Sequence, residues 1–406
     1  MQLHHTDWLH SRAITQLLTA FDAAGYPLRF VGGCVRDAVM HRPVQDIDAA
    51  TPATPQQTIS ILEHAGIKAV PTGLAHGTIT AVIDSKGYEI TTLRTDLSCD
   101  GRHAEVAFTD SWEDDSNRRD FTFNAIYCDA HAQLYDFHTG IADAQAGIVR
   151  FIGDPHARIQ EDALRILRYF RFLATHGKEP AHNDALSACR THLALLDGLS
   201  GERIQHEMAK LLAADNPCAA LALMLPDILP ALIGPIESLE ALNTLLQGEK
   251  TMGIKPDSTT RLAALLRASH NPQASCARVI ERWKLSRLTT KSLEFLVSHD
   301  PIAPSALEIT LKSSLRHVGR DAFARLIALS WKPDTLDVLD VALNLLRHWQ
   351  IPTFPITGHD LKAHGIAEGV QMGETLRKLE ALWESMDYQP DKAALLQLYF
   401  NPKSKA

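Results

Sequence analysis

The six cysteines of this 406-residue chain form no CxxC pair, and that scatter excludes a zinc-ribbon or disulfide-framework protein. No apolar run approaches the roughly 18 uninterrupted residues that a membrane span needs, so no membrane partner is expected. A surplus of positive charge is also missing. With 40 Lys and Arg against 48 Asp and Glu, the net charge is −8, which argues against nonspecific coating of nucleic acid but leaves room for a local basic patch. The first residues lack the basic start, apolar run and small-residue cleavage site of a secretory leader. The cytoplasm is the expected compartment. There is no internal repeat or low-complexity tract, and nothing points to an obligate protein partner.

What is present is a folded composition, 45% hydrophobic and 22% charged, in a chain too long for one ordinary core. Short β-rich runs recur at Leu28–Val31, Thr78–Ile83, Tyr88–Leu93 and Ala104–Phe108, divided by Gly, Asp and Ser turns. After Arg150 these signals stop. From 155 to 350 the chain is dense in Ala and Leu at helical spacing, with prolines at the breaks. A last amphipathic helix is expected near Glu374–Met386.

Two local patterns carry chemistry. Val31-Gly32-Gly33-Cys34-Val35-Arg36-Asp37 is followed by Asp46-Ile47-Asp48, with 12 residues between Gly33 and Asp46. In a strand, Asp46 and Asp48 would project together with Ile47 turned inward. Two adjacent carboxylates repel unless a cation offsets them, and Mg²⁺ takes one or two carboxylates together with substrate phosphates. The glycines let backbone approach a triphosphate, and Arg36 adds positive charge. Together the glycine turn and the acid pair resemble the signature of the polymerase-β-type nucleotidyltransferase superfamily. Further on, Arg118-Arg119-Asp120-Phe121-Thr122-Phe123-Asn124-Ala125 would line one wall of a nucleotide pocket. There Arg119 would reach phosphate or base, and Asp120 and Asn124 would add further contacts.

The third pattern is Glu161–Arg171, expected as one helix with Asp162, Arg165 and Arg168 along one side. Cytosine and adenine each present an exocyclic amine beside an unprotonated ring nitrogen. An Asp acceptor next to an Arg donor matches both and mispairs with uracil and guanine, whose rejection leaves buried polar groups unpaired. One Asp/Arg pair thereby becomes a reader of C and A.

These three blocks, together with Asp136–Gly140, Asp143, and Leu199–Ile204 with Glu207, resemble the class II tRNA nucleotidyltransferases, the bacterial CCA-adding enzyme family. The resemblance is strongest over residues 28–212. It implies an α+β, polymerase-β-like nucleotidyltransferase head (1–150) followed by an all-α neck (151–215), body (216–350) and tail (351–406). It implies Mg²⁺ on Asp46 and Asp48, which are the catalytic pair. Gly33, Arg36 and Arg119 would hold the nucleotide. Asp162 and Arg165 would read the base, with Arg168 and Arg171 assisting. The implied substrates are tRNA, CTP and ATP, the implied reaction the addition of C, C and A to the tRNA 3′ end. Glu89 is either a third carboxylate or a structural residue. Alternatives are an A-adding enzyme, a poly(A) polymerase, and a tRNA-binding protein without catalysis. The acid pair speaks against the last. The charged loop Thr95–His103 favours completion of the A, and the absence of proline after Asp162 disfavours the poly(A) enzyme.

Overall fold

Alternating burial along Thr78–Ile83, with Ile79, Ala81 and Ile83 inward, marks a strand covered on one face. The computed structural model describes residues 1–4, 6–99, 104–178, 180–300, 302–303 and 305–400. Strands β1 (Arg29–Val31), β2 (Asp48–Thr51), β3 (Lys68–Gly73), β4 (Thr78–Ile83) and β5 (Lys86–Thr92) join β8 (Ile126–Cys128) and β9 (Leu134–Asp136) in one sheet. Their order is β3-β4-β5-β2-β1-β8-β9. Only β2 and β5 run parallel; the other pairs are antiparallel. Strands β6 (Arg94–Cys99) and β7 (Ala104–Phe108) form a separate two-stranded ribbon. The charged loop expected over Thr95–His103 thus begins as strand, and its residues 100–103 lie outside the described residues.

Helices α1 (Arg12–Ala23), α2 (Gly33–Val39), α3 (Pro55–His64), α4 (Trp112–Asn117) and α5 (Gly140–Ala146) accompany the sheet. Helix α3 starts under a Thr54/Gln57 capping box with Pro55 in its first turn, and packs on β3, β4 and β5. Helix α2 leaves β1 directly and packs on β1, β8 and α5. Gly32 makes that turn possible: its φ of 80° lies in the left-handed region that disfavours a side chain.

From Pro155 onward the described elements are helical. Helices α6 (Pro155–Glu161), α7 (Leu164–His176), α8 (Asn183–Thr191) and α9 (Gly201–Leu212) come first. The protein is therefore a mixed α+β N-terminal region followed by a largely helical remainder. An aromatic cluster ties α7 to the sheet region: the rings of Phe121 and Phe172 lie 5.3 Å apart edge-on, and those of Phe121 and Phe151 lie 4.8 Å apart.

The chain clusters into two units. One takes Met1–Glu237 with Ala277–Leu285 and contains the sheet. The second takes Ser238–Cys276 and the chain from Ser286 onward. It holds one core around Leu315, Phe323, Ile327 and Leu339, and another around Leu361, Leu379 and Trp383. The last expected helix, near Glu374–Met386, is Val370–Ser385, and a further helix, Lys392–Phe400, follows it.

Candidate active site

The strand expected to carry both acids begins only at Asp48. Asp46 and Ile47 precede it, Asp46 exposed and Ile47 half-buried rather than turned into the core. The ladder explains the late start. Asp48 is the first β2 residue in register with β5, opposite Glu89, and β1 engages β2 only from Ala49.

Asp48 is half-buried, and its carboxyl is pushed up to about 6. Burial is the largest cause; the charge of Glu89 adds to it, Arg119 opposes, and Asp46 adds again. The charges of Glu89 and Asp46 thus act on Asp48 against that of Arg119, and burial adds to them. That deficit suits a divalent cation. Among the described residues no group of three His, Cys, Asp or Glu could enclose a metal ion by itself. Asp46 and Asp48, side by side on one cleft, are the kind of carboxylate pair that Mg²⁺ takes together with water or phosphate.

A cleft of about 650 Å³ opens beside these acids. Gly33, Arg36, Asp46 and Asp48 line it from the sheet side, Thr175 and His176 from α7, and Asp215 from the residues after α9. Gly33 needs no glycine for its backbone, and a Cβ there would meet only Arg36 Nη2, at 3.7 Å. Protein packing does not demand this glycine, so the open space above it is left for something else. Arg36 is fixed by Asp37 and Asn124, donating from Nε to Asp37 Oδ1 at 2.9 Å and from Nη1 to Asn124 Oδ1 at 2.8 Å.

Arg119 stands next to this floor. Its Nη1 is 3.9 Å from where a Cβ on Gly32 would sit. Asp120 does not face an open pocket: Oδ1 accepts from the Phe121 amide and Asn124 Nδ2, and Oδ2 accepts from Arg168 Nε at 2.6 Å. Burial alone would raise its pKa, but Arg168 and then Asn124 hold it at about 2. A ribose hydroxyl would have to compete with all three donors.

The single helix expected over Glu161–Arg171 is broken. Helix α6 ends at Glu161, and Asp162 takes extended angles, φ −150° and ψ 105°, before α7 starts at Leu164. Asp162 Oδ1 accepts from the Leu164 amide, and Oδ2 accepts from Arg203 Nη2 at 2.7 Å. It therefore caps α7 from outside rather than sharing its face with Arg165. Arg165 is buried; it donates to the Arg158 and Arg118 carbonyls and to Glu161. Arg168 and Arg171 both reach Glu207 on α9, and Arg171 also stacks on Phe172 at 3.8 Å. The structure thus brings Gly33, Arg36, Asp46 and Asp48 together in the cleft. It ties Arg168 and Arg171 together through Glu207, and pairs Arg165 separately with Glu161.

Comparison with known proteins now decides the family. A profile described as "Poly A polymerase head domain" matches residues 28–150, and one described as "Probable RNA and SrmB- binding site of polymerase A" matches 182–227. The CCA tRNA nucleotidyltransferase 1, mitochondrial, of Danio rerio is 36% identical over 402 residues, covering 96% of this chain and 90% of that one. The CCA-adding enzyme of Streptococcus suis is 32% identical over 377 residues, covering 90% of each. This chain belongs to the CCA tRNA nucleotidyltransferase family. The crystal structure of the Bacillus stearothermophilus CCA-adding enzyme in complex with CTP superposes with a TM-score of 0.76, at 27% identity, over 94% of this chain and 96% of that one.

Two expectations change with this finding. Relatives from vertebrates and bacteria match alike, so family membership holds without a bacterial restriction. The cytoplasmic location is corrected: the relatives from Danio rerio, Homo sapiens and Mus musculus are all named mitochondrial. Scattered cysteines without a CxxC pair fit more than one compartment, which is why composition misdirected that expectation.

The nucleotidyltransferase head also holds residues that the motif reading missed. Asp115 is fully buried and collects Arg118, Arg119 and Tyr127. In sequence it sits in Trp112-Glu113-Asp114-Asp115, which reads as a solvated helix start. Its spacing of three and four from the two arginines was the signal available. Arg158 was missed as well; it donates from Nη2 to the carbonyls of Arg118 and Arg119.

Proposed function

We propose that this protein adds C, C and A to the 3′ end of tRNA without a nucleic-acid template, using CTP and ATP and releasing pyrophosphate. The observation that carries the reading is the placement of Asp46 and Asp48 with Gly33 and Arg36 on one cleft, with Glu89 in register opposite Asp48. Family membership supports it, as do the CTP named with one superposed structure and the tRNA nucleotidyltransferase and CCA-adding names of the relatives.

In this reading Gly33 leaves room for the triphosphate, and Arg36 and Arg119 bind its oxygens. The RNA 3′-hydroxyl attacks the α-phosphorus in line, and pyrophosphate departs on the opposite side. Asp46 and Asp48 would hold Mg²⁺, which when bound supplies Lewis-acid stabilisation to the phosphates and favours the ionised hydroxyl, in a two-metal arrangement. Asp162 and Arg165 read the base, with Arg168 and Arg171 in support, once nucleotide displaces their present partners. Asp120 and Asn124 brace Arg168 and Arg36. The head at 1–150, neck at 151–215, body at 216–350 and tail at 351–406 divide the work, the helical parts holding the tRNA by phosphates and shape.

The test uses purified protein, Mg²⁺ and tRNA transcripts ending before CCA, after CC and after CCA, each offered CTP, ATP or both. Addition that stops at CCA is the expected result. Extension only from CC, or long A tails, would move the reading to an A-adding or poly(A) enzyme, and no extension would favour tRNA binding alone.

A further inference from the structure

Among the described residues, Arg119 is held along one edge. Its Nη2 donates to Asp115 Oδ2 at 3.1 Å, and its Nε donates to the Tyr127 hydroxyl at 3.3 Å. That hydroxyl donates in turn to the same Asp115 oxygen at 2.6 Å. The guanidinium also lies over the Tyr127 ring, 5.4 Å from its centroid. Nη1 takes part in none of these contacts; it lies 3.9 Å from where a Cβ on Gly32 would sit.

The holding groups are built to stay put. Asp115 and Tyr127 are both fully buried, on α4 and β8. Tyr127 is wedged edge-on against Trp112, with centroids 5.3 Å apart. The other Asp115 oxygen accepts from Arg118 Nε at 2.9 Å and from the Arg94 amide at 3.3 Å, at the first residue of β6. One buried carboxylate therefore faces two guanidinium groups. Desolvation of that carboxylate is outweighed by Arg119, then Arg118 and the Tyr127 hydroxyl, which together hold its pKa at about 2. From this position the Arg119 guanidinium acts on Asp48 as an opposing positive charge.

We propose that Asp115 and Tyr127 are positioning residues for Arg119: they clamp two of its nitrogens so that Nη1 faces the Gly32–Gly33 turn, where it binds the triphosphate of either incoming nucleotide. This rests on the reading of the cleft as a nucleoside-triphosphate site. The clamp acts on the sugar-phosphate end, which CTP and ATP share, so it affects both nucleotides alike and leaves base choice untouched. Ordering an arginine before its ligand arrives lowers the entropy lost on binding.

The test is steady-state kinetics of Tyr127→Phe, which removes one hydroxyl from a buried ring and keeps its shape. KM for CTP and for ATP is expected to rise by about five- to tenfold in equal measure, the effect of one ordinary hydrogen bond lost, with KM for the tRNA primer unchanged. In an Arg119→Ala background the same substitution is expected to add nothing, because the group it positions is gone. Asp115→Asn is expected to act in the same direction and further. Should it fail to fold, the Tyr127→Phe arm decides alone. Unchanged nucleotide KM in Tyr127→Phe, or equal rises in nucleotide and primer KM, overturns the positioning role. If Arg119→Ala itself leaves nucleotide KM unchanged, the reading of Arg119 as a triphosphate contact has failed instead, which keeps the two failures apart.

Discussion

Glu89 stands directly opposite Asp48, in register on the parallel neighbouring strand. A half-buried carboxylate facing another acid, with Asp46 adding to the repulsion, is a conflict that folding alone does not relieve. Replacing Asp48 by Asn should therefore raise the thermal midpoint of metal-free protein while abolishing nucleotide addition. The midpoint should rise by a few degrees in EDTA, equivalent to about 1 kcal/mol. Any stabilisation of the wild type by millimolar Mg²⁺ should disappear in the variant. Melting curves with EDTA and with Mg²⁺ check both; a lowered midpoint in EDTA would show that Asp48 is a structural acid. Glu89→Gln should keep activity but need more Mg²⁺ for half-maximal rate.

The two glycines at the turn should behave differently. Gly32 has a φ of 80°, so alanine there is strained whatever space is available. Gly33→Ala has no such strain and meets only Arg36 Nη2, at 3.7 Å. The expected outcome is a loss of about 1–2 kcal/mol in urea unfolding for Gly32→Ala and within about 0.5 kcal/mol for Gly33→Ala. Gly33→Ala should still raise KM for both nucleotides at least about tenfold, since its methyl group occupies the face left open to phosphate. A destabilised Gly33→Ala with normal KM would mean that the glycine serves packing.

Much of this fold could be read from pattern alone, and the failures share a physical cause. Thr78–Ile83 alternates cleanly because one face is covered, whereas β8 and β9 are three residues each, too short to show a period. The acid pair was visible, yet its strand starts at Asp48 because the Glu89 partner, set by tertiary pairing, defines the ladder. The break at Asp162 was invisible since Glu-Asp-Ala-Leu is compatible with a helix. It takes Arg203, far along the chain, to hold that carboxylate outside α7. Asp115 went unnoticed for a related reason. An acid three and four residues before arginines reads as a solvated stripe, and only packing shows that it is buried.

Asp120 joins the nucleotidyltransferase head to α7 through Arg168. Its carboxyl is held at about 2 in the folded protein against an ordinary 3.8. Between these values the unfolded chain binds the extra proton, so stability is fully present above about pH 4 and is lost as pH falls toward 2. That component is on the order of 2 kcal/mol. Asp120→Asn should remove it, flattening the acid limb of stability against pH relative to wild type, and should cost about 2–4 kcal/mol near neutrality by leaving the longer contact to Glu207, at 3.6 Å, as the remaining ion pair of Arg168 among the described residues. Urea unfolding at several pH values measures both effects. An unchanged acid limb would show that Asp120 carries no such linkage.

Arg165 provides the sharpest check on base reading because its donors are occupied before any nucleotide is present. It spans the Arg158 carbonyl, Glu161 and the Arg118 carbonyl, so Arg165→Ala loses buried contacts as well as a base partner. Stability alone cannot then assign its role, and discrimination must be measured. With Asp162 held by Arg203 instead of by Arg165, nucleotide binding would have to exchange these partners for the edge of cytosine or adenine. The expected outcome is that Arg165→Ala incorporates UTP at a rate closer to CTP, the ratio of kcat/KM narrowing by at least about tenfold, as follows when a site built on hydrogen bonds loses one partner. Lys at the same position keeps the charge but not the forked donors, and should restore stability more than selectivity. If Arg165→Ala lowers the rates with CTP, ATP and UTP in equal proportion, Arg165 braces the Arg118–Arg119 backbone and reads no base.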